Sequence, residues 1–128
     1  MAHLRNKVRR EKLELQLAMA DACAARGAFQ QSFAYLEGAH ILSQVSTVQH
    51  VRVHWLMLLW PVRRRSGAEF LGQIARIVAA ACLTGLGLVP AGNTGGANVS
   101  PFRPMPIPAD LVSLMPPVVS AARHKTRR

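Results

Sequence analysis

The stretch 37-EGAHILSQVSTVQHVRVHW-55 reads as the end of one helix, a short turn and the start of the next. Val45, Ser46 and Thr47 interrupt the helical pattern with β-branched and capping residues, and Thr47 is placed to cap the second helix. A turn centred near Ser46 sets His40 opposite Val53 and His54, and Gln44 opposite Gln49 and His50. His50 and His54 are four residues apart and share a helical face; Glu37 and His40, three apart, share one too. Folding the two helices together therefore predicts one compact region holding Glu37, His40, Gln44, His50 and His54.

Working outward, the pattern is helical on both sides. Leu13, Leu17, Ala20 and Ala24 recur at helical spacing, which predicts a helix over about 8–25 that stops at Gly27. Residues 1–7 read as a loose arm. Phe29, Phe33, Leu36 and His40 make the stripe of a second helix over 29–44, so His40 continues an apolar face inward. A third helix runs over 48–60 with Val51, Trp55 and Leu58 on one stripe and the histidines on the next. Pro61 removes a backbone donor and is expected to kink or end it. The run Arg63–Arg65 then sits at a helix C-terminus, where positive charge suits the macrodipole. A fourth helix over 68–83 carries Phe70, Ile74, Ile77, Val78, Ala81 and Cys82 as its apolar set.

From residue 86 the composition changes. The run 92-GNTGGANVSPFRPMPIP-108 is too rich in glycine and proline for a helix or a central strand. Met105 and Ile107 alternate with Pro104, Pro106 and Pro108, which predicts an extended segment over 86–108 laid along the helices. A short helix is expected near Ala109–Leu114. The chain thus reads as one all-α domain over 1–120 with a basic, disordered tail over 121–128.

The chain has 128 residues and a formal charge of +10, concentrated in 5-RNKVRREK-12, 63-RRR-65 and 123-RHKTRR-128. Aromatic residues do not interleave with these runs, which argues against specific nucleic-acid recognition. Simple attachment of basic arms to nucleic acid or membrane would show itself by steep loss of binding with salt. No apolar stretch reaches the roughly 20 residues that a transmembrane helix needs. The N-terminus is charged and has no apolar signal core. Cys23 and Cys82 lack CxxC spacing and read as small buried hydrophobes of a reducing compartment. These features together lead us to expect a cytoplasmic protein.

The chemistry concentrates at the turn. Two histidines four apart on one helix point the same way, and zinc, iron, copper and nickel all accept imidazole. His40, His50 and His54 are candidate metal ligands, with Glu37 as the fourth, since ExxH is a spacing used in bundle metal sites. Glu69 or Gln73 from the fourth helix could complete a shell. A second ExxH is missing, so a mononuclear site is the economical expectation. Gly92, Asn93, Thr94, Gly95 and Gly96, with Arg103, are candidates for an anion-binding nest or a lid that excludes water from the histidines, and the simpler expectation, which we favour, is a tight turn that redirects the chain and packs it over the helices. The run follows no strand and opens no long helix, so it is neither a Walker loop nor a dinucleotide fingerprint. No serine or cysteine has a nucleophile motif around it, and the sequence selects no enzymatic reaction. The competing expectation is that the histidines only hydrogen-bond to neighbours and fix helix packing.

Two resemblances rest on these residues. The segments 26-RGAFQQSFAYLEGAHIL-42 and 66-SGAEFLGQIARIVAAAC-82 share a turn glycine (Gly27, Gly67), a small residue (Ser32, Gly72) and an alanine (Ala39, Ala79). Those offsets resemble the tetratricopeptide repeat, although the period is 40 residues rather than about 34. The resemblance implies that the second helix stacks on the third, and that the concave face of the array binds a protein partner. The chain also resembles a family of short bacterial proteins known only as a domain of unknown function, through 39-AHILSQ-44, 50-HVRVHWLML-58, 69-EFLGQ-73 and 92-GNTGGANVSPFRPMPIP-108. Family members typically have glycine where this chain has Ser43. Their genes often neighbour heavy-metal resistance and transport genes, and this implies a metal-linked role.

Overall fold

The computed structural model describes residues 1–64, 67–84, 86–88, 92–95, 100 and 103–116; the side chains of residues 61–64, 69 and 80 lie outside that description. The chain is all-α. Helices α1 (Ala2–Ala25), α2 (Phe29–Ser43), α3 (Thr47–Arg64) and α4 (Gly67–Leu83) follow one another, and the short α5 (Ala109–Val112) comes after the proline segment. No strand occurs among the described residues. α1 packs on α2, α2 on α3, and α3 on α4, as expected of stacked helical hairpins.

The boundaries follow local chemistry. At the end of α1, Gly27 takes φ +78, and the Ala28 amide donates to the Cys23 carbonyl, closing the last turn. Between α2 and α3 the cap is Ser46 rather than Thr47: its Oγ accepts from the Gln49 amide at 3.5 Å, and its carbonyl accepts from His50 at 2.8 Å. Ser43 donates its hydroxyl to the His40 carbonyl at 2.7 Å, a bond that closes the last turn of α2.

Further expectations need correction. Residues 2–7 are helical, so the basic N-terminal run is the first turns of α1 and not a loose arm. That run consists largely of good helix formers, and Lys7 and Glu11 add an i,i+4 pair. α3 continues through Pro61 to Arg64, because a proline removes one ladder bond without unmaking a helix that is packed on both neighbours. Trp55 is exposed, and the inward stripe of α3 is His50, Val53, His54 and Met57. Cys82 is exposed while Cys23 is fully buried; both are free thiols.

The core joins Leu13, Leu17 and Ala20 of α1 to Leu36, Ala39, Ile41 and Leu42 of α2 and to Val53 and Met57 of α3. Ile107, Leu111 and Met115 cap it, so the segment after the prolines is part of the packed interior. α4 is turned against its hydropathy. Gln73 and Arg76 are buried, whereas Phe70, Leu71, Ile74 and Val78 face outward. The basic tail over 121–128 lies outside the described residues.

A buried three-histidine centre

Helix register brings the three rings together. His40 ends the inward stripe of α2, one residue after the fully buried Ala39. His50 and His54 occupy one face of α3, directly across the turn. All three are 2–3% exposed, and their ring centroids lie 4.5–4.9 Å apart. His40 Nε2 is 3.0 Å from His54 Nε2 and 2.8 Å from His50 Nε2.

The opposite nitrogens fix the tautomers. His40 Nδ1 lies 2.7 Å from the Asn93 carbonyl oxygen, which can only accept, so Nδ1 carries the proton. Gln73 donates its Nε2 to the Gly95 carbonyl at 2.9 Å, which leaves its Oε1 to accept from His54 Nδ1 at 3.0 Å. In the neutral rings, Nε2 of His40 and Nε2 of His54 are therefore both lone pairs, facing each other with no proton between them. His50 Nδ1 is 2.6 Å from the Thr84 hydroxyl, which can donate or accept, so His50 alone is free to choose. If His50 places its proton on Nε2, the contact with His40 becomes a hydrogen bond. The contact between His40 and His54 stays electron-rich on both sides.

Protonating a ring would relieve that contact, but the surroundings oppose it. Burial, followed by the fields of His54 and His50, holds His40 well below the ordinary histidine range. Burial and His54 push His50 down to about 3. Burial pushes His54 down to about 4 against the favourable bond to Gln73, with Arg76 adding to the depression. The three donors lie within 4.8 Å of one another and could hold a metal ion, each with its second nitrogen anchored to an oxygen.

The segment Gly92–Gly95 closes the site. Asn93 and Gly95 supply the two carbonyls. Gln44 grips the same backbone: its Oε1 accepts from the Gly92 amide at 3.1 Å, and its Nε2 donates to the Asn93 carbonyl at 3.2 Å. The Asn93 side chain accepts from the Gly95 amide and donates to the carbonyls of Ser100 and Arg103. Gly95, at φ +79, lies flat against the His40 ring, where an added Cβ would come within 2.7 Å of a ring carbon.

Of the residues singled out from the sequence, His40, His50, His54, Gln44, Gln73, Asn93 and Gly95 meet at this centre, and Gly92 joins through Gln44. Glu37 is half-buried and is not among the converging donors; its position near His40 in sequence places it on an adjoining part of α2. Thr94 is half-buried and makes no bond to the rings. Arg103 is exposed and enters through its backbone carbonyl alone. The Glu69 side chain and Gly96 lie outside the described residues. Thr84 and Arg76 were not anticipated. Nothing in their sequence context marks them, since one is a lone threonine past a helix and the other a lone arginine in an apolar run.

Fold and centre together define a small all-helical protein with an internal three-histidine cluster. The chain belongs to the family described as "Protein of unknown function (DUF3703)", which it matches over residues 7–115. No curated protein and no solved structure matches it. Among the described residues no helix is long and apolar enough to cross a membrane.

Proposed function

We propose that the protein binds a transition-metal ion through Nε2 of His40, His50 and His54. The observation that carries this reading is the pair of lone pairs facing each other at 3.0 Å between His40 and His54. Such a contact calls for a positive species between the nitrogens, and burial makes a proton a poor one there. Each ring also has the oriented second nitrogen that metal-bound histidines ordinarily have, here on Asn93, Thr84 and Gln73. Imidazole donors suit zinc, iron, copper or nickel. Metal handling, including a link to heavy-metal resistance, is the physiological role we assign to this chemistry. Glu37 is a reserve ligand that would have to swing inward, and Gly92–Gly95 acts as the lid.

The test is elemental analysis of untagged protein purified without chelator, followed by titration with zinc, iron(II), copper and nickel. Near-stoichiometric metal is expected, and it should vanish from a folded His40→Ala/His54→Ala variant. Protein that carries no metal and binds none of the four would sink the reading.

One observation favours a second reading, a helical interaction module with structural histidines. The outward face of α4 carries Phe70, Leu71, Ile74 and Val78, and contiguous exposed apolar residues often mark a contact surface. A stable complex lost on Leu71→Glu/Val78→Glu, in protein that binds no metal, would favour the module.

A further inference from the structure

The outward face of α4 has a composition of its own. Leu71, Ile74 and Val78 recur three and four residues apart and so line one side of the helix, with Phe70 beside them. Leu71 is 69% exposed, Val78 60%, Ile74 43% and Phe70 37%. The other exposed side chains described on this helix are alanines and the Cys82 thiol. The apolar surface continues past the helix end. The Leu88 amide donates to the Leu83 carbonyl and the Gly87 amide to that of Thr84, both at 3.1 Å, with Gly87 at φ +68. This closed turn holds Leu86 and Leu88, both largely exposed, at the end of the same helix.

Single exposed leucines are ordinary, but a contiguous set marks a surface that something covers. Two observations point to the occupant. The described exposed side chains of α4 offer no hydrogen-bonding group beyond one thiol, which bonds weakly. A protein partner makes about one hydrogen bond per 100–200 Å² of contact, whereas the hydrocarbon of a bilayer makes none. The charge is also one-sided. Between Thr47 and Leu88 the sequence has five arginines against the single Glu69, and three of the five, Arg63, Arg64 and Arg65, closely precede α4. A second copy of a chain with a formal charge of +10 would bring like charges together there, whereas an anionic bilayer would neutralise them. Apolar helix faces accompanied by basic residues settle into the headgroup boundary without crossing it.

Independently of how the histidines are read, we propose that the outward face of α4, with Leu86 and Leu88, docks on an anionic lipid bilayer, its apolar side chains entering the acyl boundary and the arginine-rich sequence before it supplying the attraction to the headgroups.

Cys82 provides the probe, because it is exposed on this helix while Cys23 is fully buried. Cys82 of the full chain is labelled with an environment-sensitive fluorophore. The protein is then mixed with vesicles of phosphatidylcholine alone, or of phosphatidylcholine and phosphatidylglycerol in equal parts. Saturable binding to the anionic vesicles is expected, with blue-shifted emission and protection of the probe from aqueous iodide. Binding to the neutral vesicles should be weaker by about tenfold or more. Unlabelled protein should sediment with the same anionic vesicles. Leu71→Glu/Val78→Glu, at exposed positions outside the core, should abolish binding with helicity retained by circular dichroism. Changing Arg63, Arg64 and Arg65 together to Gln should weaken it by about tenfold or more. Failure to bind anionic vesicles overturns the proposal, and so does equal binding to neutral ones. Binding that leaves the probe open to iodide, or that survives in the glutamate variant, overturns it in favour of attachment by the basic termini alone. Concentration-dependent protection without lipid overturns it in favour of a second copy on this face. The unsubstituted chain decides the matter even if a variant does not fold, and its metal content bears on the histidines alone.

Discussion

The proton on each imidazole is the detail on which the centre turns. His40 and His54 are held as Nδ1–H tautomers by the Asn93 carbonyl and by Gln73, whose amide is oriented in turn by Gly95. Two-bond 15N–1H spectra of the metal-free protein should therefore show both rings protonated at Nδ1 at neutral pH. An Nε2–H signature at both rings would refute the accounting of lone pairs. The same burial governs pH dependence. His50 and His54 titrate at about 3 and about 4 when folded, below the ordinary 6.5. Between those values the unfolded chain binds more protons than the folded one, so acid favours unfolding. Metal-free protein should keep its full histidine contribution above about pH 6.5 and lose it progressively towards pH 4, as urea melts across that range would measure. Replacing His50 with Gln should shallow the slope. Much of this scale was legible in the sequence. The i,i+4 pair on α3 and the inward stripe ending at His40 were enough to bring three rings together. The Thr84 and Arg76 contacts were not legible, because they depend on how α4 rotates, and apolar periodicity gave that rotation the wrong way round.

At the scale of elements, the centre is built by two helices and closed by a segment with no regular structure. Gly95 is where that segment touches the His40 ring. Alanine there would need both a positive φ and a Cβ within 2.7–2.9 Å of three ring atoms. Gly95→Ala should lower metal affinity by roughly 10–100-fold, the range typical for damage to the groups that orient a ligand, with helicity retained by circular dichroism. Unchanged affinity would mean that the segment does not hold the ring. Gly92 has a matching role on the other side, since a Cβ there would overlap the Met105 carbonyl. The helices themselves were visible as spaced apolar residues. Their ends were less so: the basic first turns of α1 have no apolar period to read, and Pro61 suggested a kink or a stop, of which the stop does not occur. α4 remains the clearest departure, since its more polar residues face in and its more apolar ones face out.

The molecule as a whole is tied together by its C-terminal third. Ile107, Leu111 and Met115 sit in the same core as α1, α2 and α3, so the proline segment that ends in α5 cannot be removed without opening the interior. Leu111, 2% exposed, should cost about 2–4 kcal/mol when changed to alanine, as read by chemical denaturation. A change of a few tenths would mean that α5 is only lightly docked. Across α1 and α3, Arg52 makes a two-point pair with Glu14, but both side chains are exposed and the pair is a minor stabiliser. A bound ion should add far more. At a hundredfold excess over its dissociation constant it would contribute about 2.7 kcal/mol, raising the melting temperature by several degrees in a concentration-dependent way. The sealing of the centre also has a consequence for rates. The rings are 2–3% exposed, and Gly92–Gly95 is pinned by Gln44, Gln73 and its own Asn93. On the metal reading, an ion bound there would leave only when that segment opens. Its residence time would then be set by how often the backbone lifts, not by the strength of its bonds to nitrogen. A competing chelator in solution would find the exchange equally slow at every concentration.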